Sequence, residues 1–292
     1  MNYREEIEKF VVDGYKNVCT ISYLRECIFN RSKMPLETDG KHSFVLKNRE
    51  DNFITTPEKN FKFHKWAGSL KSSQAFAYNI FSGVKDREFE FSMEVFDRPA
   101  QIDVKIEDVE TQTIELFEVK MFEVINKEKI EFEGKYDDKA KYIYLSEDVV
   151  DAFIKFKNEV INHFDGQKIY GGGIKQLCSH LLGILNIMNK PEYENKKIKL
   201  HSLCFDVAFS DKFGQDIDNY RETLTMFKCL VDKFLKEIKV DSRIEYCGFL
   251  SAIGYVVCEA KKELLGKENY EYVMERYLYK KNENPPHFRH TQ

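Results

Sequence analysis

Proline and glycine are scarce, at 6 and 14 of 292 residues, which excludes a collagen-like or low-complexity chain. The seven cysteines, Cys19, Cys27, Cys178, Cys204, Cys229, Cys247 and Cys258, are odd in number, scattered, and never spaced C-x2-C. That argues against a disulfide framework and against a structural zinc site. Most have apolar neighbours, as in Leu203-Cys204-Phe205, and read as small buried hydrophobes. Cys178 and His180 are two apart, about 200° around a helix, so they form no catalytic dyad. No apolar run approaches the roughly 18 residues that span a bilayer. The opening Met1–Glu6 has no leader-type stretch, so a soluble, cytoplasmic protein is expected. Repeats and Ser/Gly/Pro linkers are also missing, and a single domain over 1–292 follows.

What is present is core material: 42% hydrophobic and 14% aromatic residues, with 24 Phe and 16 Tyr. Intrinsic disorder as the main state is excluded. Net charge is only −4, which argues against a protein that coats nucleic acid, but the charge is uneven. Residues 86–150 hold nineteen acidic and nine basic side chains, whereas 1–85 hold fourteen basic and ten acidic. An acidic middle beside basic flanks suits a divalent-cation site next to a polyanion surface, and equally a solvated acidic face.

The periodicity predicts helix from about Tyr3 to Phe29, polar loop from Asn30 to Asn60, and helix over Phe63–Phe81 stopped by Gly83. Three strands follow: Phe89–Phe96, Ile102–Ile106 and Ile114–Phe122, the last two joined by a polar turn at Glu107–Gln112. Helices are expected at Ser146–Phe164, Ile174–Asn189, Asp216–Ile238 and Tyr255–Tyr279, with strands at Ile198–Phe209 and Ile244–Phe249. This is an α/β order, with a mixed central sheet whose first three strands form a meander.

The chemistry centres on Asp103 in one strand and Glu118-Val119-Lys120 in the next. Residues i and i+2 share a strand face, so Glu118 and Lys120 project together. With a hairpin turn near residue 110, the partner of 103 is about 117, which brings two carboxylates and an ammonium together. Two carboxylates and the Val119 carbonyl could hold Mg²⁺, with Mn²⁺ as a substitute, through hard oxygen ligands. A lysine beside them could orient a water and steady charge on a phosphoryl group. A solvated strand face would explain Glu-x-Lys more cheaply. The apolar neighbours Ile114, Leu116, Phe117, Met121 and Phe122 instead favour a covered central strand, where charged side chains need a purpose.

These residues resemble the PD-(D/E)XK nuclease superfamily, whose signature is an acidic residue on one strand and (D/E)-x-K on the next. Pro99 precedes Asp103 by four residues. The run Ser72–Phe81 looks like the N-terminal helix of a bacterial, restriction-enzyme-like subgroup. Gln176 resembles the glutamine that many relatives place near the metal, although His180 stands where exonuclease-like branches have Tyr in Q-x3-Y. The resemblance covers about residues 60–210. It implies a restriction-endonuclease-like core at 61–210, N-terminal helices and loop at 1–60, and completing helices and a strand at 211–292. It further implies a Mg²⁺-dependent deoxyribonuclease in restriction or anti-phage defence, with Asp103 and Glu118 on the metal, Lys120 on the water and Gln176 on a phosphate or water. The alternative is a catalytically silent module of this fold that binds nucleic acid or a helicase/ATPase partner. A homo-oligomer would suit double-strand cutting.

Lys62, Lys65 and Lys71 interleave with Phe61, Phe63 and Trp66, a mixture suited to phosphate contact and base stacking; the same aromatics would serve equally as core anchors. Lys175 beside Gln176 is a further candidate phosphate contact. Ser73, Gln74 and Asn79 lie in a helix suited to burial and need partners, either as caps or as support for the active-site hairpin. Gly171-Gly172-Gly173 lacks a nucleotide-binding context and reads as a flexible turn.

Overall fold

The computed structural model describes residues 2–18, 70–167 and 169–280. Expectations for Asn30–Asn60, for Lys62, Lys65, His64 and Trp66, and for Cys19 and Cys27 lie outside these residues.

Period-two burial builds the sheet. In β2 (Ala100–Asp108), Ala100, Ile102, Val104 and Ile106 are buried while the residues between them are not. β1 (Arg87–Met93) and β3 (Thr113–Lys120) flank it, both antiparallel to it. β4 (Lys197–Cys204) and β5 (Ile244–Ser251) continue parallel to β3, giving a five-stranded mixed sheet in the order β1-β2-β3-β4-β5. β3 is thus central, as its apolar composition predicts. β4 is shorter than expected: Phe205 donates its N–H to the carbonyl of Lys120, and the ladder stops.

Eight α-helices cover the sheet among the described residues: α1 (Tyr3–Val18), α2 (Ser73–Phe81), α3 (Glu147–His163), α4 (Gly171–Ile187), α5 (Asp211–Glu237), α6 (Ala252–Val257), α7 (Glu259–Leu265) and α8 (Lys267–Arg276). Parallel connections follow a right-handed crossover as a rule, and two of them running in one direction across the sheet put their helices on one face. α4 accordingly meets Glu118 and Lys120, and α5 brings Phe227 onto Tyr246 of β5. On the opposite face, Phe117 packs against Phe81 of α2 and Tyr255 of α6. α3 starts with Glu147 and Asp148 in its first turn, which complements the helix dipole, and buries Val150, Phe153, Phe156 and Val160 at helical spacing. No helix among the described residues is long and apolar enough to cross a membrane.

Three local expectations are corrected. The glycine run is the first turn of α4 rather than a flexible turn, and a Cβ at Gly173 would stand 2.2 Å from the Tyr170 ring. The last predicted helix is three, broken at Cys258 and at Gly266, whose φ of +80° no continuous helix allows. Cys229 and Cys258 are exposed rather than core residues.

Close helix contact fixes one strong test. A Cβ on Gly14 of α1 would lie 2.0 Å from the carbonyl oxygen of Arg276 in α8. Gly→Ala inside a helix normally stabilises by about 1 kcal/mol. Here overpacking of about 1–3 kcal/mol should reverse the sign. Gly14→Ala is expected to lower the urea midpoint; a raised midpoint would show that α1 and α8 are not in backbone contact.

Candidate functional site

The β2–β3 hairpin sets the geometry. Its turn is tightened by Asp108, whose Oδ1 accepts from the N–H groups of Glu110 and Thr111 at 2.9 and 3.1 Å. The resulting register pairs Val104 with Phe117, so Asp103 faces Glu118, one residue from the predicted partner. The difference matters, because a one-residue slip exchanges strand faces. Only the observed register puts Asp103 on the same face as Glu118 and Lys120.

Beyond Val104 and Phe117 the ladder ends, and a side chain takes over. Asp103 Oδ2 accepts the Val119 N–H at 2.7 Å. Lys120 uses its backbone carbonyl toward β4; Val119, one residue away, turns its N–H and C=O to the β2 side. The Val119 carbonyl therefore lies on the Asp103 edge of β3.

Glu118 and Lys120 are only 2% and 7% exposed. The Lys120 ammonium donates to Glu118 Oε1 and, at 2.8 Å, to Gln176 Oε1. His180 Nε2 contacts Glu118 Oε2 at 2.8 Å. Gln176 and His180 are four apart on α4, one turn of the same face. The structure thus joins Asp103, Glu118, Lys120 and Gln176 and adds His180, whose position the sequence leaves open between core and site.

The electrostatics divide the carboxylates. Burial would raise Glu118, but Lys120 and His180 outweigh it and hold the carboxyl well below its usual range. Burial pushes Asp103 the other way, and the neighbouring Glu118 charge adds to this; Lys120 and the Val119 N–H only partly oppose the rise. Burial would lower Lys120, yet Glu118, Tyr170, Glu123 and Asp103 together raise it. Asp103 is therefore the carboxyl whose ionised form the site favours least.

Glu123, three residues past Lys120, is not singled out by sequence pattern, although it is the next acidic residue after Glu-x-Lys. It accepts the Met121 N–H at 2.6 Å and acts on both Asp103 and Lys120. It also lines a cavity of about 690 Å³, together with Tyr3, Arg4, Lys71, Phe122 and Asn126.

The other candidates scatter. Ser72, not Ser73, caps α2 by accepting the Ala75 N–H at 3.1 Å. Gln74 donates to Glu90 of β1, a residue at φ 52° that lies across from Asp103 in register. Asn79 donates to the Tyr277 hydroxyl at 2.9 Å. These bonds tie α2 to the sheet and to the chain after α8. Lys175 pairs with Glu133 at 3.3 Å.

Among the described residues, no group of three or more His, Cys, Asp or Glu side chains stands ready to hold a metal ion. The donor set here is two carboxylates and a main-chain carbonyl, all hard oxygens, which fits the way Mg²⁺ binds through one or two carboxylates and keeps several waters. A cation at this site would favour the ionised form of Asp103, which burial and Glu118 otherwise oppose. Compared with family models, curated proteins and solved structures, the chain matches none.

Proposed function

We propose that this protein is a Mg²⁺-dependent nuclease that hydrolyses DNA phosphodiester bonds, with a restriction-endonuclease-like core. The observation that carries the reading is the register-aligned trio of Asp103, Glu118 and Lys120, closed by Gln176 from α4. The order of α2, the β1–β3 meander, α4 and β4 also supports it.

Asp103, Glu118 and the Val119 carbonyl would hold the ion. Bound there, Mg²⁺ or Mn²⁺ supplies Lewis-acid polarisation of the phosphodiester and a lowered water pKa. Lys120, fixed between Glu118 and Gln176, orients the attacking water and steadies the growing phosphoryl charge. Gln176 keeps that ammonium aimed, and its amide group reaches a phosphate or water. His180 holds Glu118 from the other side. Restriction or anti-phage defence is the setting we infer, in company with a helicase or ATPase partner or a second copy of the chain.

One observation favours a second reading, a catalytically silent binding module. Both oxygens of Glu118 are already engaged, by Lys120 and His180. Metal binding must take one of them.

Purified protein with Mn²⁺ is expected to cut DNA when offered plasmid, single-stranded and flap substrates side by side, EDTA is expected to stop it, and Asp103→Ala is expected to remove the activity with the fold intact. Absence of cleavage of all three substrates together with no thermal shift in Mn²⁺ would give the binding-module reading the field.

A further inference from the structure

The 690 Å³ cavity is built at the exit of β3. Its wall includes the start of α1 (Tyr3, Arg4, Ile7), the chain entering α2 (Lys71, Ser72, Ser73) and the segment from Phe122 to Asn126. Glu123 belongs to both this cavity and the catalytic cluster, since its carboxylate acts on Asp103 and Lys120. The floor is apolar, with Ile7 and Phe122 buried, while Arg4 and Asn126 are exposed at the rim. Such a volume lies within the roughly 300–1,000 Å³ of pockets that enclose one small molecule. It is far too small for a duplex, whose major groove alone is about 12 Å wide.

Access points the same way. Glu118 and Lys120 sit beneath the surface, at 2% and 7% exposure. A rigid double helix laid on the protein cannot lower its phosphate into that depth without deforming. An unpaired strand can turn one nucleotide inward. It would set the base against the apolar floor and its phosphates toward Arg4 and Lys71, as single-strand sites combine apolar platforms with cationic walls. Lys71 is half-buried in this wall, where it and Arg4 present two cationic side chains to the cavity.

Building on the nuclease reading, we infer that the cavity is a subsite for one unpaired nucleotide next to the scissile phosphate, so that the substrate is a single strand, overhang or flap rather than intact duplex.

The test is binding, independent of cleavage. Fluorescein-labelled oligonucleotides of one sequence, as single strand, overhang duplex and blunt duplex, are titrated by anisotropy in EDTA and again in Ca²⁺. Single strand and overhang are expected to bind at least tenfold more tightly than the blunt duplex. Ile125→Trp, which fills the cavity, is expected to weaken single-strand binding at least fivefold. Should that variant fail to fold, Lys71→Glu is expected to do the same. Equal affinity for blunt duplex and single strand, or no detectable single-strand binding, overturns the subsite. So does unchanged single-strand affinity in whichever variant folds. Cleavage of blunt duplex with equal binding would overturn the subsite but keep the nuclease; tight single-strand binding without Mn²⁺-dependent cleavage would do the reverse.

Discussion

Lys120→Met is expected to reduce metal-dependent cleavage by at least about a hundredfold, the scale of losing one preorganised charge-stabilising group. The same substitution is expected to cost about 3–5 kcal/mol of stability, because it strips a buried carboxylate of its partner. Glu118 would keep only His180, and Asp103 would lose the ammonium that restrains its rise. Methionine keeps the volume and length of the stem, so the loss reports charge rather than a cavity. Urea denaturation checks the stability part. The Glu118→Gln/Lys120→Met double variant should recover much of the loss, since neither buried charge is then left alone. It should not recover cleavage. A folded Lys120→Met protein that cuts at the normal rate would remove Lys120 from the chemistry.

That pair is legible in the sequence because strand alternation is rigid: Glu118 and Lys120 must share a face. The mate of Asp103 is not, because hairpin register depends on how many residues the turn takes. Here Gln112 adopts φ 53° and Asp108 caps the turn, details that composition does not specify. Gln176 and His180 are visible as a pair four apart, but whether that helical face meets β3 depends on the crossover of α3 and α4. Sequence alone cannot choose between core and site for His180, since both are buried. The elements themselves are readable from periodicity. The breaks at Cys258 and Gly266 are not, because Glu259–Leu265 and Lys267–Arg276 both carry good helix formers, and one glycine inside such a run is often tolerated. Glu123 is hidden in the acidic stretch 86–150, where its neighbours give it no distinction.

Asp103→Asn is expected to raise the thermal midpoint of the metal-free protein and to abolish its stabilisation by Mn²⁺. The amide oxygen can still accept the Val119 N–H, so the hydrogen bond at the end of the ladder survives, while the charge facing Glu118 disappears. The direction follows from the raised pKa of Asp103. The folded protein holds this proton more tightly than the unfolded chain does. The resulting stabilisation is complete below the unfolded value of about 3.9 and is lost as pH rises through the elevated folded value. Across the window between those two values the wild type loses stability that Asp103→Asn, with no proton to lose, keeps, so the variant gains as pH rises and the gap closes toward the acid end. Metal reverses the order. An ion bound only by the folded wild type adds roughly 2.7 kcal/mol at a free concentration one hundred times its Kd, whereas the variant lacks one of the two carboxylates. Melting both proteins from pH 4 to 8, with EDTA and with Mn²⁺, separates the cases. If Asp103→Asn lowers the EDTA midpoint at pH 7, the carboxylate is structural, held by contacts stronger than its repulsion from Glu118. If Mn²⁺ then shifts both proteins equally, the ion sits elsewhere and the catalytic assignment of Asp103 falls with it.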